Sequence, residues 1–356
     1  MHDLSGSVRC TRPTPGEARC RRDERFPCDQ ALSWWSEDAL PRSSSSSRPP
    51  HCSWWRSGPG RRRYRRAGRA RPGRLHPARR DDAGLSRPGP DVVDRVATGA
   101  PPGAGPATGV TPVVTDCQVW WLDPAHAPRW CEELLSEPER ARAESIHRGA
   151  ARRRFVTATA LVKVAVAVTS GGDPGGVEIL RACPDCRRLH GRPVVAGGTP
   201  YVSLSHSGDR VAVALCADAP VGVDVEQVDA DIDVDAMVPF VLGAAERPAF
   251  RAVRGRSARV EAFLRCWTRK EAVLKATGDG LRIPMPGVTV GAPYGPARLT
   301  GFAGRPELPG TTRIADLRAE PGYLGAVTVL TARPVRVIEL DGLDAFAATA
   351  ERHGGS

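Results

Sequence analysis

Lysine is nearly absent from this chain. Of its 51 basic residues only three are lysine, Lys163, Lys270 and Lys275. A sequence so biased toward arginine keeps an ammonium where a compact point charge suits better than a planar fork. Long apolar runs are lacking as well. No stretch of ~18 or more apolar residues occurs, so no membrane contact is expected. No apolar core of ~7–15 residues follows the positive start, so a secretory leader is not expected either. The ten cysteines lie at irregular spacings, and with no export signal they read as reduced thiols of a cytoplasmic protein.

Charge is unevenly spread. Residues 1–110 hold 21 arginines against 11 acids, a net of +10, whereas the remaining 246 residues carry 30 bases and 29 acids. The first third also lacks any sustained apolar period. It offers Ser43–Ser47, the basic run Arg61–Arg66 and two Trp-Trp pairs among scattered Pro and Gly. Such a segment buries too little apolar surface to offset its ordering entropy, so it is expected to be disordered. Two readings of it stand side by side. One is an arginine-rich arm that binds nucleic acid through phosphates, with tryptophans stacking on bases. The other, which is favoured, is an extension without function, translated from upstream of the true start, with no nucleic acid as partner.

Order is expected from about Val113. The stretch Thr111–Asp123 reads as a first strand, followed by a helix from Ala127 to Ser145 and a second over Ala151–Val168. That second helix starts basic, with Arg152, Arg153 and Arg154, and turns apolar; Lys163 interrupts its apolar half and either reaches the surface or meets an anion. Cys183, Cys186 and His190 have partial zinc spacing, but a structural site takes four ligands, and a loop with two thiols is favoured. A strand over Tyr201–Ser205 then opens into Ser205–Asp209, SHSGD, where hydroxyl, imidazole and backbone N–H groups could meet a phosphate. A strand over Arg210–Ala217 pairs back. In Pro220–Glu226, alternation sends Asp224 and Glu226 to one face and Val223 and Val225 to the other. Two carboxylates so placed repel each other unless a cation sits between them.

A helical stretch is expected from about Ala244 into Ala262–Leu281. There Phe263, Leu264, Trp267 and Leu274 recur at helical spacing, and Gly278 and Gly280 stop the helix. Trp267, Glu271 and Lys275 stack on one face. The plain reading of Glu271 with Lys275 is a surface ion pair worth ~0.3–0.5 kcal/mol; the sharper one makes Glu271 a third oxygen ligand beside Asp224 and Glu226. The end of the chain is β-rich. Strand-helix-strand material on both sides of Pro220 suggests two similar halves.

Gly222–Glu226 (GVDVE), Trp267–Leu281 (WTRKEAVLKATGDGL) about 40 residues later, and the upstream SHSG loop together resemble the Sfp-type 4′-phosphopantetheinyl transferases. The resemblance covers roughly residues 113–340; residues 1–110 have no counterpart in it. It implies an α/β (α+β) fold of two similar halves related by a pseudo-twofold, residues 111–219 contacting coenzyme A and residues 220–345 holding magnesium and docking the carrier protein. It implies magnesium on Asp224, Glu226 and Glu271, pyrophosphate contacts from Ser205 and His206, and Lys275 on a phosphate. It places Arg154, Lys163 and Arg192 around the nucleotide phosphates, while Thr159 stands where many relatives carry a charged or larger side chain. The implied reaction moves phosphopantetheine from coenzyme A to a serine of an acyl or peptidyl carrier protein, as in polyketide and nonribosomal peptide biosynthesis. Catalysis would fall to Glu271, Lys275 and His206, in a cytoplasmic monomer. The acid cluster alone would also suit a magnesium-dependent phosphodiesterase or nuclease, which would not need the SHSG loop or the W-x-x-K-E helix.

Overall fold

A computed structural model describes residues 95–97, 113–147, 149–183 and 189–354. The expectations for residues 1–110 therefore lie outside the described residues, apart from Arg95–Ala97 (β1). That short segment departs from the expected disorder and pairs antiparallel with Val335–Asp341 (β12).

Alternating burial begins at Thr115–Leu122 (β2). Tyr201–Ser207 (β5) and Arg210–Cys216 (β6) form a hairpin that pairs back onto β2, and β12 joins β2 in parallel from its other side. The first sheet thus has the order β1-β12-β2-β6-β5. A second sheet consists of Val221–Gln227 (β7), Tyr323–Val329 (β11) and Arg313–Asp316 (β10), in the order β10-β11-β7. Two ribbons complete the β structure: Ile179–Ala182 (β3) with Leu189–Val195 (β4), and Val288–Val290 (β8) with Leu299–Phe302 (β9).

Each of the two larger sheets carries one 22-residue helix. Gly149–Ser170 (α2) covers one face of the first sheet, meeting Trp120, Leu122, Val211, Val213 and Leu215 through Leu161 and Val162. Arg256–Thr277 (α5) belongs to the second core, with Phe263, Leu264, Trp267 and Leu274 turned inward. A third apolar layer lies between the sheets, where Val119, Ala212 and Ala214 meet Val223, Val225 and Val327. Burying a valine of this kind stabilises by about 1.5–3 kcal/mol, so the layer fixes the two sheets against each other. β12 lies late in the sequence yet belongs to the first sheet, so the chain returns to its N-terminal half before it ends.

Several boundaries differ from the sequence reading, each for a local reason. The helix expected over Ala127–Ser145 is split into a 3-10 turn, Arg129–Leu134, and a separate helix, Glu137–Glu144 (α1). The break falls at Ser136, whose backbone N–H donates to Glu139 Oε2 at 2.8 Å, in a capping box readable as S-x-x-E. The stretch from Ala244 likewise divides into Arg247–Ala252 (α4) and α5, parted by Gly255 at φ +86°. Val234–Val241 (α3) precedes them, and Gly342–Gly354 (α6), absent from the sequence reading, packs Phe346 against Trp130. β5 extends to Ser207, so His206 lies within the strand and not where it opens. Among the described residues no helix is long and apolar enough to cross a membrane.

Gly222 sets how closely α5 can sit on β7. A Cβ there would lie 2.0 Å from the Ala272 carbonyl oxygen and 2.4 Å from the Ala276 nitrogen, both helix backbone. Neither atom can yield without moving the helix. Gly222→Ala should therefore cost at least the ~1–3 kcal/mol typical of overpacking, measured as a lower denaturant midpoint; an unchanged midpoint would show that α5 can slide on the sheet.

Candidate active site

Alternation along β5 places Ser203, Ser205 and Ser207 on one side, facing β7. Each hydroxyl accepts a backbone N–H of the neighbouring sheet: Val223 to Ser203 at 3.0 Å, Val225 to Ser205 at 3.3 Å and Gln227 to Ser207 at 3.0 Å. β5 and β7 are the end strands of their sheets, so these serines supply by side chain the edge bonds that a continuous sheet would make by backbone. Two hydroxyls also donate onward, Ser205 to Asp224 Oδ1 at 2.9 Å and Ser207 to Glu226 Oε2 at 3.0 Å. The Ser205 proton is thus committed to Asp224, which makes Ser205 a holder of the carboxylate and not a free donor to phosphate.

α5 brings the third acid and its cation. Glu271 stands one helical turn before Lys275, and both enter the field of Asp224. Lys275 is buried, with its ammonium 2.7 Å from Asp224 Oδ1 and 3.0 Å from the Val223 carbonyl. The surface ion-pair reading is thereby corrected: the residue is 7% exposed and ties the helix to β7. Burial raises the pKa of Asp224, although Lys275 and Ser205 oppose the rise. Burial and then repulsion from Asp224 push Glu226 up to about 8, and the same two causes push Glu271 to about 7. Asp224 Oδ2 is also buried without a hydrogen-bond partner. Three acids in one another's fields, one with an orphaned oxygen, suit a hard divalent cation in donor type and charge. They do not form a finished cage as they stand: among the described residues no group of three or more His, Cys, Asp or Glu is arranged to hold an ion.

The remaining basic residues divide into two groups. His206, Arg154 and Arg192 border the seam between the halves. Arg154 donates to the Gly208 carbonyl at 3.1 Å, and Arg192 to the Ala276 carbonyl at 3.0 Å, in the last turn of α5. Burial, then Arg154, Lys275 and Arg181, lower the His206 pKa to about 4. The imidazole is therefore neutral at pH 7, and its Nδ1 is buried without a partner. Gly208, at φ +53°, lets the loop close on the second sheet, since a Cβ there would lie 2.4 Å from the Tyr323 hydroxyl. Lys163 belongs to the other group. It meets an anion, but an internal one: its ammonium lies 2.8 Å from Glu139 and 2.7 Å from the Leu134 carbonyl. Its placement around the nucleotide phosphates, implied by the resemblance, is not what these contacts favour. Lys270 is buried in the same way on Glu246, Val241 and Met285.

Thr159 is buried on α2 with its hydroxyl unpaired. Cys183 is a buried thiol, while Cys186 and the side chain of His190 lie outside the described residues. Sequence reasoning missed Ser207, although the serine repeat at positions 203, 205 and 207 was a readable signal. It also missed Arg181, for which the sequence carries no signal.

Residues 220–305 match the 4′-phosphopantetheinyl transferase superfamily. That segment contains Asp224, Glu226, Glu271 and Lys275. The chain is similar to the 4′-phosphopantetheinyl transferase AcpT of Salmonella typhi, 36% identical over 89 residues that make up 25% of this chain and 46% of that protein. It is 28% identical over 151 residues to the 4′-phosphopantetheinyl transferase HetI of Nostoc, covering 41% of this chain and 61% of the relative. A 4′-phosphopantetheinyl transferase of Bacillus pumilus is 37% identical over 99 residues, 26% of this chain and 38% of its own length. The chain thus spans from under two fifths to about three fifths of these relatives.

The acid cluster should weaken the fold, and with a definite pH sign. Glu226 keeps its proton up to about pH 8 when folded but releases it near 4.5 when unfolded. Between those values the folded state binds more protons, so stability falls as pH rises. His206 has the opposite sign, but its contribution is complete above about 6.5. In the presence of a chelator, Glu226→Gln should therefore gain in melting temperature over the unmodified protein between about pH 6.5 and 8.5. A constant difference across that window would show that the carboxylate carries no such strain.

Proposed function

We propose that the chain, whose residues 220–305 match the 4′-phosphopantetheinyl transferase superfamily, moves phosphopantetheine from coenzyme A to a serine hydroxyl of an acyl or peptidyl carrier protein. The other product is adenosine 3′,5′-bisphosphate. The observation that carries this reading is the meeting of Asp224, Glu226, Glu271 and Lys275 at the β7–α5 contact, all within the matched segment. In this reading the N-terminal half contributes the nucleotide contacts, and the C-terminal half the acids and the docking face for the carrier. The protein would act as a monomer in the cytoplasm.

Asp224, Glu226 and Glu271 would hold magnesium, which when bound would neutralise charge on the pyrophosphate. The carrier serine attacks the β-phosphorus. One P–O bond forms to the serine as the P–O bond to the bisphosphate leaving group breaks. Glu271, raised to about 7, is suited to orient the serine or take its proton, directly or through water. Lys275 is held between Val223 and Asp224, and its charge would stabilise the phosphate side of the transition state. His206, being neutral, would contribute a hydrogen bond and not a charge.

The direct test is mass spectrometry of a carrier protein incubated with this protein, coenzyme A and magnesium. A gain of about 340 Da, the mass of the phosphopantetheinyl group, is expected on the carrier. Cleavage of coenzyme A with no gain on the carrier would point to a phosphodiesterase. A second expectation concerns Lys275. Its Cβ lies 3.0 Å from the position of a Gly222 Cβ, so the surroundings are cramped. The longer planar fork of arginine cannot take the same place. Lys275→Arg should lose most of kcat despite keeping the charge, and Lys275→Ala should lose on the order of 10²–10³-fold. Activity of Lys275→Arg at the level of the unmodified protein would show that charge alone matters there.

A further inference from the structure

The turn that joins β5 to β6 is gripped from both sheets. Ser207 pairs directly with Arg210, so Gly208 and Asp209 form a two-residue turn. Three of its backbone groups lie outside the strand ladder, and each has a side-chain partner. Arg154 of α2 donates to the Gly208 carbonyl at 3.1 Å, and Arg210 to the Asp209 carbonyl at 2.7 Å. The Asp209 N–H donates to the Tyr323 hydroxyl at 2.9 Å. Of these three partners, Tyr323 alone comes from the second sheet, where it is the first residue of β11. Nothing in the reaction scheme above uses it.

Tyr323 is itself held in place. The Arg210 guanidinium lies over its ring, 5.5 Å from the centroid. Arg210 is tied in turn to Glu320 and, at 3.4 Å, to Asp123. On β11, Tyr323 stands directly opposite Gln227 of β7. The Gln227 N–H donates to Ser207, and Ser207 donates to Glu226. The contacts therefore close a ring that runs from Ser207 to Gln227, to Tyr323, to Asp209 and through the turn back to Ser207. The fit is close, since a Cβ on Gly208 would lie 2.6 Å from Gln227 Oε1 as well as against the Tyr323 hydroxyl.

The ring matters because of where Ser207 stands. Ser203 and Ser205 have strand on both sides, whereas Ser207 is the last residue of β5. The last bond of such a row opens most readily, for want of a neighbour beyond it. Tyr323 supplies that neighbour two residues on. A turn free to lift from β11 would carry Ser207 away and leave the Glu226 carboxyl without its hydroxyl donor.

We propose that Tyr323 is a positioning residue: its hydroxyl docks the β5–β6 turn on β11, so that Ser207 keeps Glu226 in place for transfer. The role rests on the transferase reading given above, and the test separates the two. Tyr323→Phe removes the hydroxyl and keeps the ring under Arg210. Asp209 is exposed, so water takes its N–H, and the melting temperature should be unchanged. Hydrogen exchange of the full chain, read by mass spectrometry on a peptide spanning the turn, should be faster on the order of 2- to 10-fold, as one hydrogen bond is lost. In transfer assays kcat should fall on the order of 10-fold with KM for coenzyme A little changed, because the residue acts on alignment and not on binding. A double-mutant cycle gives a readout that a merely structural role would not move. Once Ser207→Ala has removed the hydroxyl on Glu226, Tyr323→Phe should cost little more in kcat. With Ser203→Ala, whose hydroxyl serves the Val223 N–H, the two losses should multiply. Transfer by the unmodified protein, with kcat or exchange unaltered in Tyr323→Phe, overturns the assignment of Tyr323 alone. A melt lowered in step with the rate, or losses that multiply with Ser207→Ala as well, overturns it too, since the residue would then serve the fold at large. No transfer by the unmodified protein overturns the transferase reading and the positioning role together, whatever the exchange shows.

Discussion

The seam between β5 and β7 is the contact on which the rest of the arrangement depends. Neither strand has a backbone partner on that side, and three serine hydroxyls take the place of one by accepting the Val223, Val225 and Gln227 N–H groups. A hydroxyl has one proton and two lone pairs, so after accepting an amide it can still donate. Ser205 and Ser207 use that proton on Asp224 and Glu226. The same bonds that join the two sheets therefore fix the two carboxylates. A backbone ladder would have joined the strands but left the acids unheld.

Buried charge is handled differently by lysine and arginine here. All three lysines are buried and each meets one carboxylate, Lys163 with Glu139, Lys270 with Glu246 and Lys275 with Asp224. Each ammonium also reaches at least one backbone carbonyl. A compact donor can satisfy acceptors that converge on one point, which a flat guanidinium cannot. Arg269 shows the complementary case. Fully buried, it donates to both oxygens of Asp316 through Nε and Nη2, to the Gly295 carbonyl also through Nη2, and to the Gly291 and Ala292 carbonyls through Nη1. Pairs of this kind add little net stability, but loss of one partner typically costs about 3–5 kcal/mol because the other charge is left alone. They fix geometry more than they contribute to folding.

The acids at the seam are a local conflict that packing does not relieve. Lys275 answers Asp224, but Glu226 and Glu271 remain protonated or repelled near neutral pH. On the other side, Arg181 Nε and His206 Nδ1 are buried nitrogens without a hydrogen-bond partner. The fold thus places poorly matched acids at the β7–α5 contact and unsatisfied nitrogens on β3 and β5. The strain sits at the junction and not within either core.

The sequence by itself determined a good deal. Period-2 alternation was enough to put Asp224 and Glu226 on one face of a strand, and helical spacing to put Glu271 and Lys275 one turn apart, because both patterns are set by backbone geometry alone. The rarity of lysine pointed to positions where an ammonium is required, and all three proved to be internal. Tertiary structure decided which group meets which. Lys275 could have faced Glu271 on a surface, and only the close approach of α5 to Gly222 turned it onto Asp224. Ser205 looked free to meet a phosphate until β7 came beside it, and Lys163 looked equally open until Glu139 reached it from α1. Periodicity assigns a side chain to a face, but its partner is set by a strand or helix distant in sequence, and that proximity exists only once the two halves have packed.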